Sequence, residues 1–136
     1  MIKNVKIDWN DIQHEENYNW ISIAKQMALA RVIFTYELAK NLGGTGVTAN
    51  AFDPGYVRSN LGRNLPLIIR WAVVFNRYFL KKESKTSVYL ATSQEVEKVS
   101  GKFFSFLKAT SFTPSGYTPE MGVRLWKIAE NLTKIY

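Results

Sequence analysis

Gly43-Gly44-Thr45-Gly46-Val47-Thr48-Ala49-Asn50-Ala51-Phe52-Asp53-Pro54-Gly55 is the stretch that decides the fold. It follows a long apolar-rich segment, residues 18–42, that contains neither proline nor glycine. Glycine just past the last periodic residue is the usual helix stop, so the segment reads as a helix closed by Gly43-Gly44. Residues 47–52 then read as a short, largely buried strand, and Asp53-Pro54-Gly55 as the turn that ends it. The glycine cluster has the composition of a phosphate-binding loop but the wrong order. Such loops run from a strand into a helix N-terminus, where amide donors and the helix dipole face the phosphate. Here a helix runs into a strand, so the glycines form a C-cap and a turn.

Working outward, Val5, Ile7 and Trp9 alternate with polar residues, as in a short strand or an extended arm. Residues 10–17 are polar and acidic, and their His14, the only histidine, reads as a solvated side chain. Beyond Gly55, helices are expected over residues 59–64, over 66–79 with Pro66 in the first turn, and over 84–93. A second strand is expected over 101–106, then a turn-rich loop through Pro114 and Gly116. Thr118-Pro119-Glu120 opens a last helix to residue 132, with threonine as N-cap and proline in first position. Helix, strand, helices, strand, helix is an α/β order. A parallel sheet wants several strands with both faces covered, and this chain supplies helices more generously than sheet. It reads like part of something larger.

The 136 residues suit a single domain, 1–136, and 46% hydrophobic with 21% charged residues suits a globular one. The absence of cysteine excludes disulfides, thiolate metal sites and a cysteine nucleophile. One histidine excludes a multi-histidine metal site within the chain. The first ten residues lack the layout of a signal peptide, and no apolar run reaches the length of a spanning helix. A cytoplasmic location, with membrane association as an addition, is the expectation. The net charge of +7 is unevenly placed. Residues 58–85 carry Arg58, Arg63, Arg70, Arg77, Lys81, Lys82 and Lys85 against Glu83 alone. Arg63, Arg70 and Arg77 recur every seven residues along an apolar helix, the pattern of an interfacial segment in contact with lipid over residues 63–82. The same pattern suits a buried or dimer-contacting helix whose arginines reach solvent. No nucleic-acid motif accompanies it, and nucleic acid is not expected as a partner.

Phe34-Thr35-Tyr36-Glu37-Leu38-Ala39, Gly44-Thr45-Gly46-Val47-Thr48-Ala49-Asn50 and Asp53-Pro54-Gly55-Tyr56-Val57-Arg58-Ser59 together resemble the short-chain dehydrogenase/reductase family, in its retinol dehydrogenase-like branch. Ser100-Gly101-Lys102-Phe103-Phe104-Ser105 and Arg124-Leu125-Trp126 extend the resemblance over residues 5–134. It implies the C-terminal portion of a Rossmann-like doubly wound fold, with few strands and about five helices. It also implies a preceding half with a glycine-rich dinucleotide loop, an Asn-Ala-Gly segment and a catalytic serine, none of which stands in this sequence. NAD(P) is the cofactor the resemblance implies, and the chain by itself is not expected to hold it. The turn that contacts the nicotinamide end in the family maps to Pro54, Gly55, Val57 and Ser59, the last retaining a hydroxyl where threonine is common.

The family's acid/base pair, Tyr-x-x-x-Lys, breaks the pattern. Two residues four apart on a helix share a face, so both groups reach one site. Counting back from Phe34 without gaps puts Ala24 at the tyrosine, Ala28 at the lysine and Met27 where the family often has serine. A shift of three makes Lys25 the lysine but puts Ile21 at the tyrosine. Tyr18 and Lys25 are two turns apart, near 10 Å along an axis at about 1.5 Å per residue, too far for one compact unit. Two readings of the alanines remain: small residues that admit a second backbone at a subunit contact, or plain helix formers where chemistry has lapsed. The expectation is a truncated, catalytically silent relative that self-associates as a homodimer or other homo-oligomer. The alternatives are an NAD(P)-dependent oxidoreductase acting with a separate cofactor-binding half, and a peripheral lipid-binding module.

Overall fold

The computed structural model describes residues 5–16, 18–55, 71, 84–110 and 117–133. Helix α1 spans Trp20–Asn41. It starts two residues later than the apolar pattern suggests because Asn19 is extended and caps it. The Asn19 side chain accepts the N–H groups of Ile21 and Ser22, both at 3.1 Å, which satisfies two of the orphan amides of the first turn. The helix stops where expected: Gly44 and Gly46 both take φ of +80°, a left-handed conformation that side chains disfavour.

The chain then enters a three-stranded sheet of order β1-β2-β3, made of β1 (Ala51–Phe52), β2 (Phe103–Ser105) and β3 (Lys108–Thr110). Strands β1 and β2 are parallel, with Ala51 opposite Phe103; β2 and β3 are antiparallel, with Phe104 opposite Ala109. The strand expected over 47–52 is regular only at its end, for a local reason. Its earlier part is tied to the neighbouring segment by one backbone bond, the Gly101 N–H donating to the Ala49 carbonyl at 2.8 Å, and otherwise by side chains. Asn50 Nδ2 donates to the Val99 carbonyl at 2.6 Å, Asn50 Oδ1 accepts the Lys102 N–H at 3.1 Å, and Ser100 Oγ accepts the Ala49 N–H at 3.1 Å. The second strand is shorter than the expected 101–106 because left-handed residues flank it, Gly101 before and Phe106 after. Strand β3 has no counterpart in the sequence reading.

Helix α2 is Lys85–Thr92, followed by a 3-10 turn at Gln94–Val96, and α3 is Pro119–Thr133. Pro119 opens α3 as its position after Thr118 suggests. The Thr118 hydroxyl, followed by a backbone hydrogen bond, holds the Glu120 carboxyl below the usual carboxylate range. Of about five expected helices, three lie among the described residues. The two expected over 59–64 and 66–79 fall outside them, except for the helical Trp71.

Ile7, Leu29, Ile33 and Leu125 form the centre of the core, with Trp9, Ile12, Phe34, Tyr117 and Met121 packed around them. The N-terminal segment is an arm and not a strand. Its alternation still decides burial: Ile7 is buried, Val5 and Trp9 are half-buried, and Lys6 and Asp8 are exposed. Rings stitch α1 to α3. Phe34 stacks on Trp126 at 5.0 Å between centroids, and Tyr36 meets Tyr117 edge-on at 6.0 Å. Gly122 lets the two backbones approach, since a Cβ there would stand 2.7 Å from Glu37 Oε2.

Candidate functional site

The sequence singled out two places, the Pro-Gly turn and the α1 positions of the missing acid/base pair. Pro54 and Gly55 follow the carboxyl end of β1, which is where ligands bind in open α/β sheets. The turn is locally fixed. The Asp53 N–H donates to the Phe104 carbonyl at 2.8 Å, and Asp53 Oδ1 accepts the Gly55 N–H at 2.9 Å. Gly55 takes φ of +68° with open space where a Cβ would lie, and all three residues are exposed. Val57 and Ser59 lie outside the described residues, as does the basic segment 63–82 apart from Trp71, which is exposed.

On α1, Ala24 is exposed and Ala28 half-buried, on the side of the helix away from Gln26, Leu29 and Ile33. Trp20, Ile21 and Met27 are exposed beside them. A Tyr18–Lys25 substitute unit is excluded by the cap: Tyr18 precedes Asn19 and lies outside the helix. Neither alanine offers a proton donor or acceptor, so this face carries apolar surface and no acid/base group at the two positions.

The α1 part of the family resemblance, residues 34–39, turns out to consist largely of packing residues. Phe34 and Glu37 face α3, where Trp126 and Gly122 meet them, and Tyr36 meets Tyr117 just ahead of that helix. Ala39 abuts Gly101, where a Cβ would come within 3.3 Å. Arg124 sits over the Trp9 ring at 4.5 Å, a cation–π contact that pins the arm to α3. Glu37 is buried and paired with Lys40 at 2.9 Å, and that hydrogen bond raises the Lys40 ammonium above its ordinary range. Burial, then the neighbouring Tyr117, pushes the Tyr36 phenol up as well.

Sequence reasoning missed one polar cluster. His14, expected to be solvated, is half-buried, and its Nε2 lies 2.8 Å from Gln26 Nε2. The available signal was Gln26 itself, an uncharged polar residue at helical spacing with Leu29 and Ile33. An open groove of about 400 Å³ runs along α3, lined by Pro119, Glu120, Val123, Arg124 and Lys127, apart from the Pro-Gly turn. Among the described residues there is no metal-ligating cluster and no helix long and apolar enough to cross a membrane.

A parallel β1–β2 pair fed by a long helix, with a Pro-Gly turn at the strand's carboxyl end, agrees with the class that the sequence matches: the chain is a homologue of the short-chain dehydrogenases/reductases. Within that family its relatives are retinol dehydrogenases. Human retinol dehydrogenase 14 is 38% identical over 130 residues, which cover 91% of this chain and 39% of that protein. Human retinol dehydrogenase 12 is 36% identical over 132 residues, covering 96% of this chain and 42% of that protein. Human retinol dehydrogenase 13 is 35% identical over 132 residues, covering 88% and 39%. The chain thus spans about two fifths of the length of these relatives. No family model matches it, and no solved structure does.

Proposed function

We propose that this chain is a short-chain dehydrogenase-like unit, built as the C-terminal portion of a Rossmann-like doubly wound fold, that performs no hydride-transfer chemistry by itself and self-associates. The observation that carries the reading is alanine at positions 24 and 28, where the family resemblance calls for tyrosine and lysine. A methyl group neither gives up nor receives a proton, and general acid–base help contributes a factor of roughly 10² to 10⁴. The Pro54-Gly55 turn, with Val57 and Ser59, is the remnant of a nicotinamide-facing loop. Backbone groups in one turn, without a phosphate loop, hold a dinucleotide weakly. Self-association follows from α1, which is apolar on both sides and exposes Trp20, Ile21 and Met27 to water.

Titration of the full chain with NADH and NADPH, read by cofactor fluorescence and energy transfer from tryptophan, tests the reading. The expected result is no saturation up to about 1 mM, an affinity of roughly 4 kcal/mol. Saturation in the micromolar range would overturn it. One observation favours a second reading, an oxidoreductase completed by a separate cofactor-binding half: the edge of β1 away from β2 has no strand partner among the described residues. Nicotinamide reduction on co-expression with such a half would support that alternative.

A further inference from the structure

The arm at residues 5–16 is held to α1 by a polar contact in an otherwise apolar seam. Gln26 is buried, 6% exposed, and makes two contacts: its Oε1 accepts the Asp8 N–H at 2.8 Å, and its Nε2 lies 2.8 Å from His14 Nε2. The proton positions follow by elimination. A backbone N–H only donates, so the oxygen of the Gln26 amide faces Asp8 and its nitrogen faces His14. An amide nitrogen also only donates, so His14 Nε2 accepts and the ring proton sits on Nδ1.

We propose that His14, Gln26 and the Asp8 amide form a pH-operated latch, closed when His14 is neutral and opened by its protonation. An imidazolium sets an Nε2–H against the Gln26 N–H, two donors facing each other. Rotating the Gln26 amide offers its oxygen to His14 but turns its NH₂ against the Asp8 N–H. Either way one buried polar contact is lost, and an unmade contact in low dielectric is costly. The backbone adds to the tension: His14 takes φ of +56°, a left-handed conformation sparsely used by residues other than glycine.

The charged groups around the latch come from the arm itself and from the two helices that it packs on. Asp8, Asp11, Glu15 and Glu16 are carried on the arm with His14. Asp11 shows how local they are: its carbonyl accepts the His14 N–H at 3.1 Å, and its carboxylate accepts the N–H groups of Glu15 at 2.7 Å and Glu16 at 3.2 Å. The charged residues of the two helices that the arm packs on are Lys25, next to Gln26 in the sequence of α1, and Arg124 of α3, which sits over Trp9. Opening withdraws Ile7, Trp9 and Ile12 from the core between α1 and α3.

Amide hydrogen exchange and imidazole ¹⁵N shifts, measured by NMR on the full chain at pH 8 and pH 5, test this. Corrected for intrinsic exchange, protection of the Asp8 amide is expected to fall about tenfold at pH 5, the loss of one buried hydrogen bond, while Ile33 stays protected. At pH 8 the His14 ring is expected in the Nδ1–H form. His14→Gln keeps an acceptor that does not titrate and is expected to leave Asp8 equally protected at both values. Gln26→Glu supplies a carboxylate that accepts from both Asp8 and an imidazolium, and is expected to reverse the pH trend. Unchanged Asp8 protection in the unsubstituted chain, or an Nε2–H ring at pH 8, would overturn the latch. Both of those readouts need no variant to fold.

Discussion

The two sides of α1 have the same kind of composition and opposite fates. One side carries Gln26, Leu29, Ile33 and Glu37 into contact with the arm and α3. The other carries Trp20, Ile21, Ala24 and Met27 into water. An ordinary surface helix separates apolar from polar residues around its axis. This one does not, so its outer side leaves apolar surface in water, at the very positions where the family resemblance places an acid/base pair. The inner side shows what has been kept: the aromatic and glycine contacts that join two helices.

Removing a side chain from each side gives the largest expected contrast. Ile33→Ala, at a fully buried site, is expected to lose about 2–5 kcal/mol in urea unfolding. Trp20→Ser on the outer side is expected to change the monomer's stability by less than ~0.5 kcal/mol while weakening self-association, read by light scattering at micromolar concentration. Equal losses from both variants, or a strictly monomeric parent chain, would dissolve the contrast. A smaller effect is expected at Gly122. Alanine there gains helix propensity but drives a methyl toward Glu37 Oε2, for a net loss of about 1 kcal/mol. Adding Glu37→Ala should turn the same substitution stabilising, and a double-mutant cycle in denaturant reads the change of sign.

The smallest effect is electrostatic and alkaline. Burial and then Tyr117 raise the Tyr36 phenol, and the Glu37 hydrogen bond raises the Lys40 ammonium. A raised group contributes stability that is complete below its unfolded value and is lost as pH climbs through the folded one. These contributions are therefore intact at neutral pH and drain away above about pH 10, the ordinary range of phenols and amines. Tyr36→Phe should flatten the fall of Tm between pH 9 and 11. An unchanged slope would mean that Tyr36 titrates alike in both states.

Much of this architecture was legible because punctuation residues act locally. Gly43-Gly44 and Thr118-Pro119 mark helix ends through caps and backbone freedom that need no tertiary partner, whereas the Asn19 cap was read as part of the helix that it opens. The strands were less legible for the opposite reason. Asn50 and Ser100 add side-chain bonds to a sparse backbone pairing between segments some fifty residues apart, which no local pattern encodes. Strand β3 was invisible because Lys108-Ala109-Thr110 has no apolar alternation. His14 was misjudged because its partner Gln26 lies on another element. At the candidate site, the absent Tyr-Lys pair followed from the family resemblance, counted back from Phe34; the burial of the surrounding motif against α3 did not.

The hairpin between β2 and β3 turns through Phe106 and Leu107, with φ of +47° and +67°. Two-residue hairpins of this hand favour asparagine and glycine, which reach that conformation at little cost. Phe-Leu makes the turn a poor nucleus, because each residue resists the left-handed state until other contacts hold it there. In kinetic terms the hairpin is expected to close late, after α1 and α3 have formed from local contacts and Gly101 has met Ala39. An Asn-Gly turn at the same place would move that step forward and quicken folding, leaving the native contacts of the helix pair unaltered.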